Sequence, residues 1–249
     1  MTIETDHDLQ QLKHIGQIVA QCLKEMKRLA EPGMSTLELD AVGADFLERH
    51  GAKSAPKITY DFPGSTCISI NEQAAHGVPG PRTLRAGDMV NVDVSAEKNG
   101  YFADTGGSFL IPPIDQKKQR LILATKLALK EAIGVARAGQ RINMIGLAIQ
   151  RVAQKKGYRI IKNLCSHGIG RSLHEEPKEI PGFYDPQDNR KLWEGAVITI
   201  EPFLSTRSEA VTEDTDGWTL IAEPGNLSAQ FEHTMVITRG KPILLTQAA

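Results

Sequence analysis

Apolar residues recur every three or four positions near the start of the chain, which predicts an amphipathic helix. The stripe consists of Leu12, Ile15, Val19, Leu23 and Met26. The segment EPGMSTLE, residues 31–38, then interrupts the pattern with a proline and a glycine. Ser35 followed by Glu38 is typical of a capping box, so we expect a second helix to begin there.

The second part of the chain repeats features of the first. LRAGDMVNVD at 84–93 and LWEGAVITIE at 192–201 both read Leu, two residues, Gly, then an apolar-rich strand that ends in a carboxylate. A second pair of segments occurs in the same order, each a helix between two glycines: Gly33 and Gly51, then Gly139 and Gly157. The alternative is that this common pattern at the start of a strand recurs by chance. Because two pairs of segments match in the same order, chance is the weaker explanation.

The repeat predicts two halves that each contain two helices followed by strands. In the second half the matching helices are expected over 116–138 and 142–156, and the strands of the whole chain near 66–71, 89–111, 196–204 and 217–245. The fold class is therefore α+β, with all strands merged into one antiparallel sheet and the helices on one face. We expect a single domain over 1–249, with repeats at about 7–111 and 116–245.

Two aspartates stand inside a predicted β-hairpin, although aspartate is depleted in strands. The hairpin spans residues 90–109, VNVDVSAEKNGYFADTGGSF, with Asn99-Gly100 as a two-residue turn. In a hairpin with an even-length loop the numbers of paired residues sum to an odd number, so Asp93 and Asp104 share a face as diagonal neighbours. A half-exposed strand whose polar side faces water would also explain the hairpin taken alone.

The repeat supplies two further carboxylates. Glu201 holds in the second half the position that Asp93 holds in the first, and Glu232 lies on a later strand with the same odd parity. Phe102 shares the face of Asp104, which weakens the solvent-facing interpretation. Four carboxylates near a pseudo-twofold axis concentrate negative charge, which a structural sheet would avoid and a site for two divalent cations requires.

Three of the seven histidines lie in settings that suit such a site. His167 and His174 fall among glycines and small residues in NLCSHGIGRSLHEEP, and His76 falls in the turn-rich NEQAAHGVPG. Each one alone is more often an ordinary polar residue, but four converging carboxylates reverse that balance. An oxygen-rich set with one imidazole suits Mn, Fe(II), Co or Zn better than a calcium site or a thiolate zinc site.

Composition narrows the classes of function. The 249 residues are 41% hydrophobic and 24% charged with a net charge of −1, so charge gives no case for nucleic acid or an anionic membrane as partner. No signal peptide is visible, and no segment approaches about 18 consecutive apolar residues, so no membrane span is expected. Three widely spaced cysteines, Cys22, Cys67 and Cys165, suggest free thiols and a cytoplasmic location.

Five stretches of the chain, in family order, resemble the bacterial-type, type I methionine aminopeptidases. They are CISINEQAAHGVPG, VNVDVSAEKNGYFADT, SHGIGRSLHEEP, ITIEPF and SAQFEHTMVIT, and the similarity extends from the first helix to about residue 245. The resemblance implies the pita-bread fold, in which two pseudo-symmetric halves share a curved antiparallel sheet. It also implies a dinuclear metallopeptidase that removes the initiator methionine from nascent proteins and peptides when the second residue is small.

The resemblance also assigns roles to residues of the predicted cluster. The family's metal ligands fall on Asp93, Asp104, His167, Glu201 and Glu232. They would hold two divalent ions (Co, Mn, Fe or Zn), which lower the pKa of a water nucleophile. Glu201 would accept the proton of that water, His174 would stabilise the oxyanion, and His76 would position the scissile amide.

Other expectations concern the methionine pocket and the partners. The pocket is expected from Tyr60, Phe62, Cys67 and Trp218. The chain departs from common family residues at Pro56, Thr59 and Leu173, and a monovalent cation is expected near Asn71 and Ser228. The expected partners are N-terminal methionyl peptides and nascent chains, with transient ribosome association of a monomeric enzyme and no specificity for nucleic acid or membrane.

Two alternatives stay open at this point. A proline-specific peptidase of the same fold usually carries a large extra N-terminal domain, and 249 residues leave no room for one. A non-catalytic binding module of the same fold would have lost metal ligands, whereas all five ligand positions are intact in this sequence.

Overall fold

The computed structural model describes residues 1–247, so the last two residues of the predicted domain lie outside the described residues. The helices are α1 (Asp6–Leu29), α2 (Thr36–Arg49), α3 (Ala55–Tyr60), α4 (Gln116–Val135) and α5 (Asn143–Lys156). The strands of the first half are β1 (Lys53–Ser54), β2 (Cys67–Ile70), β3 (Gln73–Ala75), β4 (Met89–Lys98) and β5 (Tyr101–Leu110). The later strands are β6 (Arg159–Ile160), β7 (Cys165–Gly168), β8 (Glu175–Pro181), β9 (Val197–Ile200), β10 (Phe203–Ser205), β11 (Thr212–Glu213), β12 (Leu220–Ile221), β13 (Ser228–Gln230), β14 (His233–Val236) and β15 (Ile243–Leu244).

Both long helices of the first half begin with capping boxes. The side chain of Thr5 accepts from the backbone N–H of Asp8 at the start of α1, and Ser35 accepts from that of Glu38 at the start of α2. Each box satisfies two backbone N–H groups that the helix itself leaves free. The predicted boundary between the two helices is therefore confirmed. Most of the predicted apolar stripe is fully buried, namely Leu12, Ile15, Val19 and Met26.

The two halves use the same backbone hydrogen bonds to start their second helices. The amide of Gly33 donates to the carbonyl of Leu84 at 2.8 Å, and the amide of Gly139 donates to that of Leu192 at 2.8 Å. Both glycines have positive φ, a conformation that residues with a Cβ rarely adopt. These matched contacts support the predicted repeat, while a single domain over the whole chain stays a prediction.

The strands β4 and β5 form the predicted hairpin. Ser95 pairs with Asp104, and the loop contains only Asn99 and Gly100, with φ of 55° and 78°. These positive φ values are those of a type I′ turn, whose twist matches the flanking strands. Because Asp93 shares a face with Ser95, the two aspartates are diagonal neighbours on one face, as the parity of the turn predicted.

The strands form four hydrogen-bonded sets within residues 1–247, rather than the single merged sheet that was predicted. In one set β1 and β2 both pair with β4, which also pairs with β5; the others run β13-β10-β6, β11-β12-β3 and β15-β14-β9-β7-β8. The pairings are antiparallel, as expected. The prediction was therefore right about direction and wrong about continuity.

The interruption lies where the two halves meet. Phe231 bridges to Gly107, and the amide of Glu232 donates to β5, so this segment pairs with the other half instead of with its own. Pro202 has no N–H with which to continue the ladder from β9 into β10. The break in the sheet thus coincides with the chain positions of Glu201 and Glu232.

The long helices cover one side of each half. In the first half α1 packs on β4 and β5 over a core that contains Val90, Val92 and Val94. In the second half α4 and α5 enclose a separate core that contains Ile198 and Ile200. The valines of β4 alternate with Asn91, Asp93 and Ser95, so the carboxylate of Asp93 points away from α1. None of the helices in the described range has the length and apolar character of a membrane span.

Candidate metal centre and active-site cleft

A cavity of about 260 Å³ opens beside the carboxylates of both halves. Four of the five predicted ligands line it, namely Asp93, Asp104, His167 and Glu201. Glu232 lies deeper in the protein, where it is 2% exposed. The five predicted ligands therefore come from five different strands or strand ends.

The hairpin supplies the two carboxylates of the first half. Burial raises the pKa of Asp93 well above its usual value, and the negative charges of Asp104 and Glu232 raise it further. Burial also raises the pKa of Asp104, which shares a hydrogen bond with Asp93. Two acids this close bind protons more readily than isolated acids because the ionised pair repels itself.

The second half supplies the two glutamates. Strand β9 pairs with β14, and β10 pairs with β13, in one unchanged register. Continued across the break, this register places Glu201 opposite Glu232. Burial raises the pKa of both carboxyls well above the usual value, and the charge of Asp104 adds to the shift in each case.

His167 on β7 brings an imidazole to these carboxylates. Its Nε2 lies 3.5 Å from Oε1 of Glu201 and 4.0 Å from Oδ2 of Asp104. Ligand atoms of Asp104, His167 and Glu232 all lie within 4.8 Å of one another. Nδ1 is 2.9 Å from the carbonyl oxygen of Gly168, which can only accept, so we assign the proton to Nδ1 and a lone pair to Nε2.

The donor set fits a divalent metal better than an internal ion-pair network. Among residues 1–247, no lysine or arginine forms a salt bridge with any of the four carboxylates, and the imidazole near Glu201 and Asp104 is that of His167. Oδ1 of Asp104 and Oε1 of Glu232 are buried without a hydrogen-bond partner, which is costly unless a cation binds there. Burial lowers the pKa of His167 to about 3, so its ring is neutral and able to ligate.

Gln230 links the acids of the two halves and was not found from the sequence. Its Nε2 donates to Oε2 of Glu232 at 3.1 Å and lies 3.5 Å from Oδ2 of Asp93, while its Oε1 accepts from Asn91 at 2.9 Å. Gly106 provides the space, because a Cβ there would lie 2.3 Å from Oε1 of Gln230. The available signal was alternation, since Gln230 stands two residues before Glu232.

The two predicted substrate-contacting histidines line the same cavity. The ring of His174 packs against that of His167, with centroids 4.1 Å apart and the ring planes tilted by 47°. Desolvation in the cleft lowers the pKa of His174, and the nearby charge of His76 lowers it further. His76 has a φ of 53° in a turn that Gly77 closes by donating to Ser69 at 3.1 Å. Such positive φ values in residues other than glycine cluster at functional sites.

An aromatic pair forms one wall of the cavity. Phe62 and Trp218 meet edge to face with ring centroids 5.2 Å apart, and Tyr60 and Cys67 line the cavity with them. Burial raises the pKa of Cys67 well above its usual value, and the charge of Asp93 adds to the shift, so this residue is a neutral thiol. All four residues predicted for the pocket therefore lie at the cavity.

Other residues at the cavity were either not predicted or were noted only as differences from the residues common in the family. Pro56 and Leu173 line the cavity, whereas Thr59 does not contribute to it. Five further residues line the cavity and were not predicted from the sequence, namely Ser95, Asn163, Leu164, Cys165 and Phe203. Phe203 carried a usable signal, because it follows Glu201 by two positions. Asn163 and Leu164 precede a strand, β7, that had not been predicted.

The monovalent cation site at Asn71 and Ser228 stays a prediction. Oδ1 of Asn71 accepts from Nζ of Lys118 at 3.0 Å, and its Nδ2 donates to Asp88 at 2.8 Å. Oγ of Ser228 accepts from Nδ2 of Asn226 at 3.0 Å. Both side chains therefore have partners of their own within the protein.

Known protein sequences resemble this chain along its full length. The model of Metallopeptidase family M24 matches residues 10–239. Methionine aminopeptidase 2 of Bacillus subtilis is 48% identical over 248 residues, which cover 99% of this chain and 100% of the relative. A methionine aminopeptidase of Staphylococcus epidermidis is 44% identical over 248 residues, with 99% of each chain covered.

Solved structures resemble the fold as a whole. Methionine aminopeptidase from Thermotoga maritima matches with a TM-score of 0.94 and 30% identity over 99% of this chain and 100% of that one. Prolidase from Pyrococcus furiosus matches with a TM-score of 0.79 and 21% identity, over 100% of this chain and 66% of the prolidase. At that identity the second likeness concerns the fold alone. The predicted fold class is confirmed by both.

Proposed function

The chain belongs to metallopeptidase family M24, and on that premise we propose that it is a metal-dependent aminopeptidase that removes N-terminal methionine. Its substrates are nascent proteins and peptides whose second residue is small. The observation that carries the proposal is the convergence of four carboxylates and one imidazole beside an apolar pocket. Relatives named methionine aminopeptidase, up to 48% identical over almost the whole chain, support the substrate class.

Use of divalent metal follows from the family, and we assign two ions to the cluster. The proposed ligands are Asp93, Asp104, His167, Glu201 and Glu232. Each half presents two carboxylates, and carboxylates from both halves suit a pair of adjacent ions. When bound, Mn, Fe(II), Co or Zn would lower the pKa of the attacking water and polarise the scissile carbonyl.

In this proposal three side chains handle the proton and the oxyanion. Glu201 accepts the proton of the attacking water and passes it to the departing amide nitrogen. Its Oε1 is held by a 2.9 Å hydrogen bond from Thr199, which fixes the orientation of the carboxylate. His174 donates to the carbonyl oxygen as that atom gains negative charge, and His76 positions the scissile amide.

The cavity suits an unbranched thioether side chain. Methionine packs well against aromatic faces and edges through its polarisable sulfur, and Phe62 with Trp218 offers both. The neutral thiol of Cys67 and the apolar side chains of Pro56 and Leu173 complete a lining with little charge at the methionine end. We assign the first residue of the substrate to this pocket.

The remaining parts of the proposal concern the cellular setting. The three cysteines are free in the structure, which supports a reducing compartment such as the cytoplasm. There the enzyme acts as a monomer on nascent chains and associates transiently with the ribosome. A monovalent cation near Asn71 and Ser228 completes the set of proposed cofactors.

Hydrolysis of small peptides tests the proposal. Metal-free protein would be assayed anaerobically on Met-Ala-Ser, Met-Lys-Ser and an Xaa-Pro dipeptide, with each of the four metals added in turn. We expect metal-dependent release of methionine from Met-Ala-Ser, with little cleavage of the other two. Asp93→Asn and His167→Ala should abolish it. Asp115→Asn is the matched control, because Asp115 caps α4 away from the cavity and asparagine retains the cap.

Each contrary result identifies a different error. Activity retained in both Asp93→Asn and His167→Ala would reject the assigned site. Preference for the Xaa-Pro substrate would favour a proline-specific peptidase of the same fold. Failure to bind any of the four ions, with no peptide cleaved, would favour a binding module.

A further inference from the structure

Tyr60 and His174 meet at the cleft although 114 positions separate them along the chain. The hydroxyl oxygen of Tyr60 lies 2.6 Å from Nδ1 of His174, and the two ring centroids are 5.7 Å apart. Tyr60 ends the short helix α3, which Ser54 caps at its other end. Ser54 also donates to the carbonyl of Ser65 at 2.8 Å, which ties α3 to the segment that enters β2.

The neighbouring imidazoles of His167 and His174 have partners of different kinds. Nδ1 of His167 faces a carbonyl oxygen, which accepts only, so the nitrogen must donate. Nδ1 of His174 faces a phenol, which is able to donate to it. A neutral imidazole carries its single N–H on one nitrogen, and the partner of the other nitrogen decides which. The two rings are therefore set up for opposite tautomers.

We propose that Tyr60 is a positioning residue that donates its hydroxyl hydrogen to Nδ1 of His174 and so fixes the N–H of that ring on Nε2. This inference rests on the proposed function, because Nε2–H is the donor that His174 needs in order to stabilise the oxyanion. In His167 the opposite tautomer leaves Nε2 bare for a metal. In this proposal His167 binds metal and His174 donates to the oxyanion, and the hydrogen bond from Tyr60 sets the tautomer of His174.

The environment of both rings supports this direction of donation. Burial raises the pKa of Tyr60, so its hydroxyl keeps its hydrogen at neutral pH. Oη of Tyr60 lies 2.6 Å from Nδ1 of His174, and a neutral imidazole has one ring nitrogen free to accept that hydrogen. If Nδ1 donated instead, Nε2 of His174 would have no hydrogen to offer the substrate. The assigned direction is the one that keeps both histidines functional.

A double-mutant cycle separates positioning from direct substrate contact. Tyr60→Phe removes the hydroxyl and keeps the ring, and we expect kcat on Met-Ala-Ser to fall about 3- to 10-fold with KM changed less than about twofold. In a His174→Ala background the same substitution should have no further effect, because Tyr60 acts through His174. Tyr184→Phe, at a tyrosine outside the cavity that is 37% exposed, is the control and should match the parent enzyme.

A spectroscopic measurement reads the tautomer without any substrate. Two-bond proton–nitrogen spectra of ¹⁵N-histidine-labelled, zinc-loaded protein should show the His174 hydrogen on Nε2 in the parent and a mixture of tautomers in Tyr60→Phe. A hydrogen on Nδ1 in the parent, or an equal loss of kcat in both backgrounds, would overturn the inference. An inactive parent with its hydrogen on Nε2 would count against the proposed peptidase while supporting control of the tautomer by Tyr60.

Discussion

The two halves of the molecule share a backbone frame and differ in what they place on it. In the first half the backbone amide of Thr36 donates to the carbonyl of Arg82 at 2.9 Å. In the second half the backbone amide of Ile142 donates to the carbonyl of Arg190 at 2.9 Å. Such matched contacts mean that a side chain can be compared with its counterpart in an equivalent setting. Residues that maintain the shared backbone hydrogen bonds should match between the halves, whereas residues that serve the metal cluster should differ.

The clearest difference concerns the strand beside each central carboxylate. Ser69 on β2 pairs with Asn91, two residues before Asp93. In the second half Gly168 on β7 pairs with Ile198 on β9, so His167 stands opposite Thr199, two residues before Glu201. The first half therefore has a hydroxyl, which anchors the turn carrying His76, where the second half has the imidazole of the cluster.

Each half also contains a segment that the other lacks. Sixteen positions separate Gly51 from Cys67, whereas eight separate Gly157 from Cys165, and the longer segment includes α3. Between β7 and β9 the second half is longer than the first half between β2 and β4, and the extra residues include β8. His174 lies just before β8, and Tyr60 ends α3. The hydrogen bond between Tyr60 and His174 therefore joins the two segments that have no counterpart in the other half.

The largest expected effect comes from truncating His167, compared with truncating its counterpart Ser69. His167→Ala removes a proposed ligand, and we expect metal affinity and kcat/KM on Met-Ala-Ser to fall by more than about 100-fold, since even indirect supports of a metal cost 10- to 100-fold. Ser69→Ala removes only the acceptor for the amide of Gly77 and should cost about 1 kcal/mol of stability. Calorimetric metal titration with steady-state kinetics measures both. Comparable losses in the two variants would mean that the halves contribute equally at this position.

Removal of metal should reveal whether both halves hold it. A ligand at 100 times its Kd stabilises the folded state by about 2.7 kcal/mol, so chelation should lower Tm by about 5 to 10 °C in a chain of this size. Asp104→Asn in the first half and Glu232→Gln in the second should each shrink this shift, because both residues belong to the same close group. Thermal unfolding with and without chelator tests this. A full shift retained in one variant would assign the metal to the other half.

The next effect concerns the amide that bridges the halves. Gly106→Ala would place a Cβ 2.3 Å from Oε1 of Gln230 and displace its amide from Glu232, which should weaken metal binding about 10- to 100-fold. Gly107→Ala is a matched control, since its Cβ would meet the ring of Phe231 at 3.4 Å, an ordinary contact. Competition with a metal indicator measures both affinities. Equal affinity in the two variants would show that Gln230 does not orient the acids.

Much of the site could be predicted because it depends on local rules. The Asn99-Gly100 turn fixes the parity of Asp93 and Asp104, and alternation then sends both to one face. The helix cap at Ser35 could also be predicted, because a capping box joins residues only three positions apart. The similarity of the halves extended the argument from Asp93 to Glu201 without any knowledge of the fold.

Other features depend on contacts that no short window contains. Helix α3 has six residues with a proline near its start, too few for a helical period to show. Gln230 gains its role only when β13 meets β5 and Gly106 leaves it space. The break in the sheet follows from Pro202 and from pairing between the halves, so a prediction that treated all strands as one ladder failed there.

The smallest expected effect compares the starts of α2 and α5. Ser35 and Arg141 occupy equivalent bridges, yet Ser35 caps its helix, with Oγ accepting from the amide of Glu38 at 3.1 Å, while α5 has no side-chain cap. Ser35→Ala should lower the free energy of unfolding by about 1 kcal/mol. Arg141→Ala should change it by less than about 0.5 kcal/mol. Urea unfolding of metal-loaded protein measures the difference. A loss as large at Arg141 as at Ser35 would show that the second half stabilises its helix start by contacts other than a cap.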